Sequence, residues 1–374
     1  MLTQSFIFET PDIQIPELTF EPSLFLLFSS WPLETVENTC KSWRSLYPSA
    51  IWLGCSTAGE IAESEVKDVS LVVLAVKIEV GKIQATYHSM SSGKSAEIGE
   101  LIGKSLWNPE LKHILVLSEG LQVNGTELAE GIRKILGNSI SVTGGLAGDG
   151  NKFEKTWVLN SEGIPQLGIV SALGFYGENW EFGFGSKGGW DSFGLERRVT
   201  YSEGNVVYEI DNEPALKLYK SYLGERSIEL PASGLLFPLS MRSHINSPSV
   251  VRTILQVNES QQSLTFAGDI PQGSWVRLMK ANNNRLIQGA EGAAIIAQSQ
   301  INEEPDICLM VSCVGRKLVL KQMVEEEVET VQSILKAKNS IGFYSYGELA
   351  PFSKGLFCEL HNQTMTITTI REKC

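Results

Sequence analysis

Trp52-Leu53-Gly54-Cys55-Ser56-Thr57-Ala58-Gly59-Glu60-Ile61 continues the apolar run Ala50-Ile51-Trp52-Leu53 into a string of small polar residues. The apolar part reads as a buried strand and the remainder as a bend. The bend would carry two hydroxyls, a thiol, backbone amides and one carboxylate, the makings of a polar cup. Upstream, Ser23 to Phe28 is a second apolar run, Pro32 follows, and Leu33 to Leu46 has apolar residues at helical spacing. A strand, a helix and the strand Ala50 to Gly54, joined by short connections, form a unit that pairs its strands in parallel. This unit sets the class: an α/β fold of mixed α+β character.

Further elements continue the alternation. Val69 to Val76 and His113 to Leu117 read as strands, and Lys94 to Trp107 as a helix stopped by Asn108-Pro109. Gly125 to Leu136 reads as a helix capped by Asn124. After Gly150, the segments Thr156 to Leu159, Ile169 to Leu173 and Trp180 to Phe184 read as successive antiparallel strands, with Ser186 to Trp190 a loop. Later strands are expected at Val206 to Ile210, Val250 to Val257, Ser263 to Phe266, Trp275 to Met279, Ile307 to Val314 and Met365 to Ile370. Helices are expected at Ala215 to Leu223, Gly289 to Ser299 and Gln322 to Lys338. In the last of these, Glu325, Glu326 and Glu327 near the start and Lys336 and Lys338 near the end complement the macrodipole, and the charges read as a solvated face. The organisation predicted is two tightly packed domains, 1–200 and 201–374, each with mixed sheets and packed helices.

The chain has 374 residues, 43% hydrophobic and 20% charged, an ordinary globular composition. Its formal net charge of −12 disfavours nucleic acid as a partner. No apolar run is long enough for a bilayer span, and no secretory signal is visible, so a cytoplasmic protein is expected. Of the six cysteines none forms a Cys-x-x-Cys pair, which is poor zinc spacing, and free, mostly buried thiols are expected.

Two more glycine bends follow the first: Thr143-Gly144-Gly145-Leu146-Ala147-Gly148-Asp149-Gly150 and Gly342-Phe343-Tyr344-Ser345-Tyr346-Gly347-Glu348-Leu349. Glycine allows tight bends and close approach to a ligand, so three polar glycine bends point to one shared pocket. The second lacks the Lys-Ser or Lys-Thr ending of a phosphate loop and offers Asp149 on a turn. In the third, extended backbone would place Phe343 and Ser345 on one side and Tyr344 and Tyr346 on the other. Arg316, in Cys313-Val314-Gly315-Arg316, suits a bidentate grip on a carboxylate, or a pair with an internal acid such as Glu348. Gly54-Cys55-Ser56-Thr57-Ala58 partly matches a nucleophile elbow, but no histidine is placed to activate Ser56 and no cation to activate Cys55. Catalysis is therefore not expected. His361, in His361-Asn362-Gln363-Thr364, is the best placed of four histidines if an axial haem ligand were needed.

Taken together, these motifs resemble the FIST family of sensory proteins. The N-terminal FIST pattern is carried by Gly54 to Glu60 and Gly144 to Asp149. The C-terminal pattern is carried by Ile210-Asp211 with Pro214-Ala215-Leu216, Ile270-Pro271-Gln272-Gly273, Cys313 to Arg316, Gly342 to Glu348 and His361 to Thr364. The resemblance implies a sensor of small ligands, such as amino acids, in signal transduction. It also implies an alternative, a haem-based nitric-oxide sensor acting on a histidine kinase. With no kinase or cyclase segment attached, output is expected through a separate signalling protein. The ligand-binding residues expected are Ser56, Thr57, Gly59, Glu60, Gly144, Gly145, Asp149, Arg316, Tyr344, Tyr346, Glu348 and Asn362. No cofactor is expected unless His361 holds haem. The rival readings are a hydrolase using Ser56 or Cys55 and a pure interaction scaffold.

Overall fold

The strand–helix–strand unit around Trp52 lies at the centre of the first sheet. In this computed structural model, which describes residues 1–244, 247, 249–351 and 357–373, Leu24–Ser29 and Ile51–Ser56 pair in parallel, with Leu26 opposite Leu53. Helix α1, Leu33–Leu46, makes the crossover and buries Val36, Cys40 and Trp43, one stripe at helical spacing. The sheet's order is Leu2–Phe8, Leu71–Lys77, Leu24–Ser29, Ile51–Ser56, Val158–Leu159, Pro165–Gln166.

Two further sheets repeat this plan. The second runs Cys358–His361, Gly347–Pro351, Ser141–Leu146, Leu111–Ser118, Ile169–Tyr176, Lys82–Ser89. Its parallel pair is Leu111–Ser118 with Ser141–Leu146, joined by α3, Gly125–Leu136, which packs on α2, Ser95–Leu106. The Asn124 side chain accepts from the Thr126 and Glu127 amides, the cap expected. The third runs Trp180–Lys187, Met365–Glu372, Ile307–Cys313, Asn339–Ser345, Glu60–Ala62, Glu65–Lys67. Its parallel pair, Ile307–Cys313 with Asn339–Ser345, is connected through α6, Val314–Leu320, and α7, Val324–Leu335. The apolar faces of the three sheets meet in a shared core, where Phe28 stacks on Phe343 at 4.7 Å.

Residues 191–280 form a lobe of their own. Its strands make an antiparallel sheet around α4, Ala215–Leu223, with a separate core including Val199, Leu216, Tyr219 and Phe266. The chain enters at Asp191 and leaves at Lys280, and these two residues pair. It then forms α5, Asn283–Gln298, and returns to the second and third sheets.

The mixed α+β class is as the sequence predicts; several pairings differ. Val158–Leu159, Ile169–Tyr176 and Trp180–Lys187 follow one another along the chain, with only the two-residue strand Pro165–Gln166 between them, yet each joins a different sheet. Every residue of Ile169–Tyr176 is buried, so that strand is flanked by partners from elsewhere in the chain. The sequence division near residue 200 falls inside the strand Asp191–Glu203, and strands after residue 339 pair with strands before 147. The expected helix Gln322 to Lys338 is preceded by a single turn, Lys321–Met323, and closes at Lys336, which is left-handed. Gly342 to Glu348 divides between two strands, Asn339–Ser345 and Gly347–Pro351, in two sheets. Cys40, Cys55, Cys308, Cys313 and Cys358 are free and buried, and Cys374 lies outside the described residues. Among the described residues no helix is long and apolar enough to cross a membrane.

Candidate functional site

All three parallel pairs deliver their carboxyl ends to one place, where an open α/β sheet commonly leaves a ligand crevice. The three glycine bends do meet there. They meet by bonding to one another: the Gly148 amide to the Ser56 carbonyl at 3.0 Å, Ala58 to Tyr344 at 2.8 Å, Tyr344 to Gly59 at 2.8 Å and Tyr346 to Leu146 at 3.1 Å. The glycines serve this approach. A Cβ on Gly144 would lie 1.8 Å from the Val116 carbonyl oxygen, and one on Gly145 would lie 2.6 Å from Val311. Gly59 has φ +136°, and its Cβ would meet the Lys317 ammonium at 2.2 Å. Glycine's close approach is spent on neighbouring backbone and side chains.

The predicted side chains are likewise tied inward. Ser56 Oγ accepts from the Trp157 amide at 3.0 Å. Glu60 is fully buried; it accepts from the Thr57 hydroxyl on one oxygen, and from the Ser70 hydroxyl at 2.6 Å and amide at 3.2 Å on the other. Burial raises its pKa, and those hydrogen bonds oppose the rise. Asp149 accepts from the amides of Phe153, Glu154 and Lys155 at 2.8–2.9 Å and from the Tyr346 hydroxyl, and Tyr346 stacks on Phe153 at 4.3 Å. This carboxylate pins its own loop.

Arg316, also fully buried, faces neither an open pocket nor Glu348. Its Nη2 donates to Glu327 at 2.7 Å and to the Leu286 carbonyl at 2.8 Å, Nε donates to Glu327 at 3.1 Å, and Nη1 to the Gly188 carbonyl at 2.9 Å. Glu327 also accepts from the hydroxyls of Tyr344 at 2.9 Å and Ser312 at 3.1 Å. One member of the expected solvated charge run is therefore a buried ion-pair partner. Glu348 accepts from Ser345 Oγ at 2.6 Å and Thr364 Oγ1 at 2.9 Å, and burial pushes it up to about 8. Asn362 Nδ2 reaches the Tyr346 carbonyl at 3.5 Å, while its Oδ1 has no hydrogen-bond partner. His361 Nε2 lies 2.9 Å from the Ala350 carbonyl and so donates to it; burial lowers the imidazole to about 4 and keeps it neutral.

One open space lies elsewhere, in the seam between the lobe and the sheets. A cavity of about 500 Å³ is bounded by α3, by the lobe and by the strand Cys358–His361, within the usual range for small-molecule sites. At its wall stands Arg252, only 3% exposed. Nε donates to the Asp269 carbonyl at 3.2 Å, and Nη1 to the Leu360 carbonyl at 2.9 Å and the Val251 carbonyl at 3.4 Å. Burial lowers this guanidinium to about 10, leaving it charged. Thr126 Oγ1, also on the wall, is buried without a hydrogen-bond partner. Asn124 Nδ2 bridges the seam to Asp269 Oδ1 at 2.8 Å, and Arg133 lies over the Phe357 ring at 4.4 Å. The sequence reading missed this site. Its signal is a guanidinium inside the apolar run Val250 to Val257, where a charge is out of place unless it is paired or functional.

The FIST N domain profile matches residues 23–213 and the FIST C domain profile residues 215–351. Over 339 residues the chain is 24% identical to the uncharacterized protein MJ1623 of Methanocaldococcus jannaschii, covering 79% of this chain and 63% of that protein. The chain thus spans less than two thirds of the length of that relative.

Proposed function

The chain belongs to the FIST family, whose domains are associated with sensing in signal transduction, and from that premise we propose that it is a small-molecule sensor whose ligand sits in the seam cavity. One observation carries the reading: the cavity of about 500 Å³ is walled by a nearly buried guanidinium and by an unpaired buried hydroxyl, Thr126 Oγ1. Ligands such as amino acids suit such a wall. The role is binding rather than catalysis. Cys55 is fully buried with its thiol pushed well up by burial and by Glu60, and the Ser56 hydroxyl already holds the Trp157 amide. Output passes to a separate signalling protein, such as a histidine kinase, because a ligand bridging lobe and sheets changes how firmly the two are held together.

Thermal unfolding against a panel of amino acids and small metabolites tests this. A ligand present at about a hundred times its dissociation constant and bound only by the folded chain adds about 2.7 kcal/mol. The shift should disappear in Met241→Trp, which fills the cavity from the lobe side. A shift that survives Met241→Trp would move the site out of the seam, and no shift from any compound would leave a protein-binding scaffold.

A further inference from the structure

Two buried arginines in this chain differ in one respect. Arg316 has a carboxylate, Glu327, at 2.7 Å. Arg252, 3% exposed, has none in contact: among the described residues it makes no ion pair, and its hydrogen bonds go to three backbone carbonyls. Among the described residues its Nη2 donates to no protein group, and the side chain borders the cavity. Glu359 and Asp269 act on this guanidinium from beyond contact, and a charge held out of water with no carboxylate bonded to it is only partly compensated. The cavity beside it leaves room for an acidic partner in direct contact.

The surroundings narrow the chemistry. Glu130, Asp269 and Glu359 also border the cavity, against Arg252 and Arg133. Three carboxylates around the rim repel a doubly charged phosphate while tolerating a single negative charge held on Arg252. The rest of the wall is largely hydrocarbon, with Met241, Val250, Phe357 and Leu360 facing the space. Such a wall rewards an apolar body by burial.

We propose that the seam cavity binds an amphipathic monocarboxylate, its carboxylate on Arg252 and its apolar body against Met241, Val250, Phe357 and Leu360. This rests on the sensor reading for its location and goes beyond it in naming the ligand's chemistry: one acidic group is required, and an amino group is not.

The test uses the full chain with hexanoate and hydrocinnamate, each against its primary amide, and with phenylalanine and inorganic phosphate, read by calorimetric titration. The acids should bind at least about tenfold more tightly than their amides, the worth of a charge-assisted hydrogen bond. Phenylalanine should bind comparably to hydrocinnamate, and phosphate should not bind. Arg252→Met should abolish the preference for acid over amide, and Met241→Trp should abolish binding of both. Equal binding of acid and amide, lost in Met241→Trp, would overturn the monocarboxylate while sparing the seam site. Failure of both acids to bind the wild type, phosphate binding in their place, or an acid preference intact in Arg252→Met would also overturn it. Acid binding unaffected by Met241→Trp would overturn the seam site itself.

Discussion

Replacing Arg316 with methionine should be among the most damaging single changes in the hub, the buried region where the three glycine bends bond to one another and their side chains are tied inward. The substitution keeps most of the volume and removes the charge. It leaves Glu327, fully buried on α7, with only the hydroxyls of Tyr344 and Ser312. Breaking a buried pair by removing one partner costs about 3–5 kcal/mol. The carbonyls of Gly188 and Leu286 lose their donor as well, adding about 1 kcal/mol each. Arg316→Met should therefore cost about 5–7 kcal/mol, comparable to the whole stability of many domains. The double variant Arg316→Met with Glu327→Leu removes both charges. It should recover the pair penalty and retain the losses at the two carbonyls and at the Tyr344 and Ser312 hydroxyls, about 1 kcal/mol each and about 4 kcal/mol together. The sign of the coupling is the point: the second substitution rescues the first. Urea unfolding followed by tryptophan fluorescence, with the slope checked for constancy, measures all the variants. A double variant as unstable as the sum of its singles would refute the reasoning, because Glu327 would then matter through its hydroxyl partners rather than its charge.

Other expectations follow from the same geometry. Arg252→Met, in the absence of ligand, should cost far less than Arg316→Met and fall within about 1–2 kcal/mol of wild type, because it removes an unpaired buried charge together with its bonds to the Asp269 and Leu360 carbonyls; matching urea midpoints for the two variants would contradict this. Glu348 has its folded pKa raised by burial from 4.5 to about 8, so its contribution is fully present below pH 4.5 and is lost as pH rises through about 8. Glu348→Gln should flatten the pH dependence of stability across that window, and an unchanged profile would mean the carboxyl is not buried neutral. Gly144→Ala should cost at least about 3 kcal/mol, since its Cβ would meet the Val116 carbonyl at 1.8 Å. Gly150→Ala, at φ +78° with nothing within 4 Å, should cost only about 1 kcal/mol, from the backbone conformation alone; equal losses in thermal unfolding would rule out close packing as the reason for Gly144.

The parts legible in the sequence are those encoded by short-range periodicity. The stripe Val36, Cys40, Trp43 and the apolar runs on either side of it give the parallel unit, and Asn124 announces its helix. What periodicity leaves out is long-range pairing: Glu60 opposite Phe343, or Gly145 opposite Glu348, has no local signature. The glycine bends were legible as places of close approach, but a backbone and a ligand demand the same missing Cβ. Glu327 did carry a usable signal. It lies four residues before Val331 and eight before Leu335, on the buried stripe of α7, so its carboxylate had to find an internal partner. Arg252 carried a similar one. The seam itself is built from three segments distant in the chain, α3, the lobe and the strand Cys358–His361, and no single stretch of sequence spells it.

Hub and seam divide the work of the molecule along a physical line. In the hub, the charged groups are matched: Arg316 by Glu327, Glu60 by Thr57 and Ser70, Asp149 by three amides and Tyr346. A network satisfied in this way specifies one arrangement and resists change. Toward the lobe the matching fails. Thr126 Oγ1 and Gln363 Oε1 are buried without partners, although Gln363 Nε2 holds the lobe through Leu235 and Thr253 at 3.1 Å. In the same region Arg252 has no carboxylate in ion-pair contact among the described residues, Glu359 and Asp269 acting on it only from farther off. Natural chains give up stability where function needs it, and Thr126 Oγ1 and Arg252 both border the cavity. A ligand that satisfies them binds lobe and sheets at once. The rigid hub then supplies a fixed frame, against which a change in the seam can be transmitted rather than absorbed.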